Sequence, residues 1–433
     1  MEWLTLGLFC AGLLGCIALD ISILWALAFG LILFLLYGRH VGLAWRELIK
    51  TALDGVRTVR NILITFVLIG ILTALWRASG TIAVIVCHAS ALIRPSVFLL
   101  MTFLINCGVS VLTGTSFGTA ATVGVICATI GTTMGVDSRL VGGAILSGVF
   151  FGDRCSPVST SALLVAELTG TSIFDNIRRM LRSALVPFLL TCAIYAALGL
   201  TAARSGAMPD LHALFGRTFT LHPAALLPAA AILLLAALRV NVKLAMGVSI
   251  LCAVPLCLFL QGVAPGELLR MAFTGFRTED AEIAAMVNGG GIASMLRVGG
   301  IVCLSSSYSG IFRKTGLLDG AKRGISAMAA KSTPFAAMLA TSVISGMVAC
   351  NQTLTTMLTH QLCGHLVGDS GDLALDLEDS AIVVAPLIPW SIAGAVPLSV
   401  VGAPTGAMLY ACYLYLLPLW RLAGSFVRKR AAL

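Results

Sequence analysis

The sequence predicts an all-α, polytopic membrane protein with two related halves. Three observations carry that expectation: composition, the recurrence of apolar runs, and an internal repeat. Hydrophobic residues make up 58% of the 433, charged residues 11%, and mean hydropathy is +1.00. Soluble domains carry about 25% charged residues, so this chain has too few charges to cover a water-facing surface. A soluble enzyme, a disordered chain and a nucleic-acid binder are excluded. The 28 Lys and Arg outnumber the 19 Asp and Glu, for a net charge of +9. In a membrane protein such an excess sets orientation from the cytoplasmic side.

A spanning helix needs about 20 predominantly apolar residues, and runs of that kind recur from end to end. Runs 3–19 and 21–37 make an N-terminal transmembrane hairpin within 1–40. Met1-Glu2-Trp3 lacks the basic start of a signal peptide, so the first run is expected to stay in the membrane. Segment 38–60 is basic, with helical amphipathic spacing that suits the interface. Runs 61–77, 96–112, 118–134 and 183–200, with broken pieces at 140–151 and 157–168, complete a first repeat over 41–200. Residues 201–259 are read as a polar connection (Arg204, Pro209, Asp210, His212, Arg217) followed by linking helices at 223–239 and 243–260. Runs 292–312, 333–349 and 403–420, with a broken piece at 380–396, form a second repeat over 260–420. Residues 421–433, with Arg428-Lys429-Arg430, read as a basic cytoplasmic tail. The expectation is about eleven or twelve membrane segments, re-entrant ones included, in the cell's inner membrane.

The repeat is visible in polar and glycine positions. Glu47-Leu-Ile-Lys-Thr-Ala-Leu-Asp-Gly-Val-Arg57 matches Glu267-Leu-Leu-Arg-Met-Ala-Phe-Thr-Gly-Phe-Arg277 at Glu, Leu, Ala, Gly and Arg. Further on, the shift that pairs Arg77 with Arg313 sets Thr115 opposite Asn351. Corresponding interruptions in two halves point to a secondary transporter.

Four interruptions carry the candidate chemistry. Thr113-Gly114-Thr115-Ser116 opens an apolar stretch with glycine and hydroxyls, which can expose carbonyls to an ion or pack two helices closely. Asp153 lies between apolar runs at a break marked by Pro157, and an intramembrane carboxylate is by default functional. It is the Na⁺ candidate, with hydroxyl oxygens from Ser156, Ser159 and Thr160 suited to a hard cation; pairing with Arg154 is the alternative. Asn351-Gln352 places two side-chain amides between apolar runs, for an ion or a neighbouring helix. In the fourth, Asp379 and Ser380 precede a run broken by Pro386 and Pro389, whereas Glu378 reads as the solvated start of a helix.

These residues carry a resemblance. Gly152-Asp-Arg-Cys-Ser-Pro-Val-Ser159 resembles the Gly-Asp-Lys-Met-Ser-Pro-Leu-Ser signature of the NhaC-type sodium/proton antiporters. Leu377-Glu-Asp-Ser…Pro386-Leu-Ile-Pro-Trp390 is similar to that family's Leu-Glu-Asp-Ser…Pro-Leu-Ile-Pro-Trp stretch, and Thr113–Thr119 and Asn351-Gln352 fall where the family has similar residues. The resemblance covers nearly the whole chain. It implies two inverted repeats with broken helices and transport driven by Na⁺ or H⁺ gradients. One departure stands out: the family continues Asp-Thr-Thr-Asn, and this chain reads Thr160-Ser-Ala-Leu163. Relatives are also associated with amino acids and malate/lactate exchange.

The remaining features point away from other classes. The 13 cysteines include no C-x-x-C pair and lie mostly in apolar runs, which suggests neither disulfides nor zinc. His360 and His365 are not spaced to share a helical face, no phosphate-binding loop occurs, and His88 has no Gly-flanked Ser nearby. The resulting expectation is a non-enzymatic secondary transporter without a cofactor, most simply a Na⁺/H⁺ antiporter working by alternating access. Na⁺-coupled movement of a small amino or carboxylic acid is the alternative. The bilayer, Na⁺ and H⁺ are its expected partners, with a small organic solute and a homodimer left open.

Overall fold

The computed structural model describes residues 2–19, 21–92, 95–157, 159–202, 211–238, 240–315 and 321–431. Part of the polar connection, with Arg204, Pro209 and Asp210, lies outside the described residues, as do the side chains of Arg313 and of Arg428–Arg430. Among the described residues the regular elements are helices, with one isolated bridge between Phe276 and Gly289. Among the described residues five helices are long and apolar enough to cross a bilayer, or six with the bent pair Ser370–Leu387 and Ile392–Val401 taken as one span. Shorter apolar helices, such as Phe98–Thr113 and Pro334–Ala349, fill the interior. The chain is an all-α, multi-pass membrane protein.

Glu2–Ala18 and Ile23–His40 form the N-terminal hairpin, and Trp45–Thr58 is amphipathic, with Trp45, Ile49 and Leu53 exposed. Its other face lies on Leu296–Thr315, where a Cβ at Gly55 would come within 2.1 Å of the Ser306 carbonyl oxygen. Arg60–Ala78 packs along Val242–Pro255, tied by Trp76 Nε1 donating to Ser249 Oγ at 2.9 Å.

The two halves share a plan. Phe98–Thr113 ends at Gly114 in the left-handed region, and Thr115 caps the helix that follows by accepting from the Gly118 N–H at 3.3 Å. Pro334–Ala349 ends at Cys350, also left-handed, and Asn351 caps Gln352–Cys363 by accepting from the Leu354 N–H at 2.8 Å. The next break repeats as well. After Ser138–Cys155 the chain unwinds at Pro157, and Ser159 caps Thr160–Thr169, which ends at left-handed Gly170. In the second half the chain unwinds around Pro389, and Ser391 caps Ile392–Val401, which ends at left-handed Gly402. The helices after these, Ile173–Ala202 and Cys412–Ala431, lie side by side.

Cys412–Ala431 is one helix that runs on through residue 421, where the basic tail is expected to begin. Arg421 is only 13% exposed at its side chain and reaches inward to Asp376 and Asp379. Two buried acids hold what composition alone would send to water.

Candidate functional site

The first half positions Asp153 by close packing. Phe98–Thr113 runs against Ser138–Cys155 with almost no gap: a Cβ at Gly152 would sit 2.3 Å from the Ser110 Cβ. Small residues are what permit such an approach between membrane helices. Asp153 follows Gly152 in the last turn of its helix and is 4% exposed. One carboxylate oxygen accepts from Ser159 Oγ at 3.0 Å, the other from Ser161 Oγ at 3.1 Å. Among the described residues it has no salt bridge.

Ser161 links the halves. Its Oγ is also 2.8 Å from Gln352 Oε1, and the Gln352 amide nitrogen donates to the Ile382 carbonyl at 3.1 Å, which fixes the amide's orientation. A hydroxyl has one proton to donate. Ser161 therefore serves either Asp153 or Gln352 at a given moment, and the other oxygen is left to a different partner.

Asp153, Thr160, Ser161 and Gln352 line a cavity of about 520 Å³, together with Thr113, Gly114, Thr115, Ser116 and Asn351. Both first breaks, one from each half, thus open onto one space with the carboxylate in its wall. Hydroxyl and amide oxygens with one carboxylate are a donor set for a hard monovalent cation. Sequence reasoning missed further polar lining residues, among them Asn61, Thr65, Asn241 and Lys243. Asn61 and Lys243 meet at 3.3 Å, Nζ donating to Oδ1. They come from continuous helix ends without an interruption to draw the eye. Ser159 and Ser391 share a legible signal, the pattern Pro-x-Ser at 157–159 and 389–391, and Ser161 lies two residues beyond the first of them.

Other expected site residues lie elsewhere. Ser156 is fully buried and donates to the Val111 carbonyl at 2.7 Å, so it ties two helices together away from the cavity. Arg154 does not pair with Asp153. It is fully buried and bonds to Asp379 and to Ser183 Oγ, the latter at 2.9 Å. Asp379 also lies 2.9 Å from Arg421 Nε, and Ser380 donates to the Asp376 carbonyl at 2.6 Å. Asp379 and Ser380 are therefore part of a buried ion-pair cluster, not of the cavity wall. Glu378, expected at water, is 0% exposed. Pro386 sits in a tight helical turn at Ala385–Leu387 and Pro389 in the unwound stretch before Ser391, where each shapes the backbone without facing the cavity.

The model of the Na⁺/H⁺ antiporter family matches residues 3–167 and 148–420. Similar proteins include the Na⁺/H⁺ antiporter NhaC of Alkalihalophilus pseudofirmus, 29% identical over 90% of this chain and 86% of that protein. The malate-2H⁺/Na⁺-lactate antiporter of Bacillus subtilis is 26% identical over 94% and 89%. The arginine/ornithine antiporter ArcD of Halobacterium salinarum is 27% identical over 89% and 81%.

Proposed function

The chain belongs to the Na⁺/H⁺ antiporter family, and from that premise we propose that it exchanges Na⁺ for H⁺ by alternating access, with Asp153 taking the two in turn. The observation that carries this reading is a buried carboxylate without an ion pair among the described residues, set in the wall of a cavity shared by both halves. A carboxylate so placed is too costly to leave bare, so it binds a cation or a proton.

Ser161 makes the two occupants exclusive. With Asp153 ionised, Ser161 donates to it, and Gln352 Oε1 is free to join Asp153 around Na⁺. When a proton arrives, Asp153 donates it to Ser161 Oγ, and Ser161 turns its own hydrogen to Gln352. The amide oxygen is then occupied and the charge that held Na⁺ is gone. The protein sits in the inner membrane, with the Arg-rich end of Cys412–Ala431 on the cytoplasmic side.

Asp153→Asn tests the assignment. It keeps the shape and removes the charge, so Na⁺-driven alkalinisation of everted vesicles should disappear while the protein remains inserted in the membrane. Wild-type exchange in that variant overturns the role of Asp153.

A second reading has its own observation. About 520 Å³ is in the range of small-molecule sites and exceeds what a bare ion requires. Lys243 on its wall has a neutral partner, Asn61, and can meet the carboxylate of an organic solute. Under this reading, Na⁺-coupled proton movement appears only when a small amino or carboxylic acid is supplied.

A further inference from the structure

Glu378 ends the helix Ser370–Glu378, directly before the break at Asp379 and Ser380. It is 0% exposed, and among the described residues neither carboxylate oxygen has a hydrogen-bond partner. The charges around it are already balanced: Arg154 and Arg421 face Asp379 and Asp376. Ionising Glu378 would add an anion that is neither solvated nor paired among the described residues, which is strongly unfavourable. The side chain is therefore the neutral acid in this conformation.

Charged groups surround it on several sides. Arg154 and Asp153 approach it from Ser138–Cys155, and Asp379 from its own segment. On the same helix, Asp369, Asp372 and Asp376 line a second cavity of about 560 Å³. Other helices packed on its own carry Glu167, Asp175, Arg178, Arg179, Arg182 and His360, all exposed or half-buried. Pro334–Ala349 contributes no charged group.

We infer that Glu378 is a second proton-carrying site, separate from the cation site at Asp153 and loaded with its own proton in this conformation. This rests on the exchange reading above. The proton leaves when movement of the helices that cover Glu378 brings it to water, and it returns when burial is restored. No bond other than O–H is made or broken. Each cycle then moves more protons than Asp153 alone accounts for, and the exchange carries net charge.

The test is the H⁺:Na⁺ ratio of the purified full-length protein in liposomes, read from reversal potentials, for wild type, Glu378→Gln and Asp153→Asn. The ratio should fall from about two in wild type to about one in Glu378→Gln, with Na⁺/Na⁺ exchange and melting temperature retained. An infrared band of a protonated carboxylic acid should vanish in the same variant, and Glu378→Asp should restore the ratio. A wild-type ratio in Glu378→Gln overturns the proposal. So does failure of that variant to fold, since a neutral isostere would then be replacing a required anion. Loss of all Na⁺ exchange in Asp153→Asn beside an unaltered Glu378→Gln sinks this inference and spares the first. Intact Na⁺ exchange in Asp153→Asn with a lowered ratio in Glu378→Gln does the reverse.

Discussion

Thr115 and Asn351 occupy the same place in the two halves. Each follows a residue with left-handed backbone, each caps the helix after it, and both line one cavity. Cysteines at these positions, in a background cleared of the 13 native thiols, should both be protected from a water-soluble thiol reagent by Na⁺. Equal labelling with and without Na⁺ at both positions would remove them from the site.

Arg154 and Asp379 form a fully buried pair, and removing Arg154 leaves Asp376 and Asp379 to share the one cation of Arg421. Arg154→Met should cost about 3–5 kcal/mol and show as a fall in melting temperature or loss of folded protein in detergent. Arg154→Met with Asp379→Leu should recover much of that loss. A double variant no better than the single one would mean that packing, not charge, governs this spot.

Gly152→Ala should disturb the site from outside it. The added methyl meets Ser110 at 2.3 Å, backbone as well as side chain, so the helices must part. Overpacking of this kind costs about 1–3 kcal/mol. Because Asp153 is the next residue, Na⁺ affinity should fall together with thermal stability. Unaltered Na⁺ affinity in a destabilised protein would separate the packing from the site.

Thr160→Asp restores the acid that the NhaC-type signature carries. Thr160 lines the cavity in the first turn of its helix, where a negative charge is favoured. Na⁺ should bind roughly tenfold more tightly, a gain of about 1.4 kcal/mol, and any solute-coupled transport should weaken. Titration of Na⁺-dependent thermal shift reads the first, and solute counterflow the second. No change in either places Thr160 outside the site.

Much of this arrangement was legible because interruptions in apolar runs are local and leave local marks. Gly114, Pro157 and the Asn351-Gln352 pair each announce a break in the letters around them. Charge partnership is not local. Arg154 stands beside Asp153 in the chain, yet their side chains leave the helix in different directions, and Arg154 finds Asp379 instead. Glu378 follows an acidic stretch that does face water at Asp369 and Asp372, so its burial depends on the turn of the helix and on what covers it. Lys243 and Asn61 reach the cavity from segments without any interruption, and only the packing of those helices brings them there.

The Arg154–Asp379 contact also constrains the machine's moving parts. Arg154 belongs to the first half and Asp379 to the second, and Arg421 reaches Asp379 from the final helix. Swinging one half against the other, as many inverted-repeat transporters do, would tear a dry charge clamp at every turnover. The clamp acts as a weld. The piece that travels must therefore be assembled from both halves, with Asp153 riding inside it, and the sliding surface must lie where that composite body meets the remaining helices.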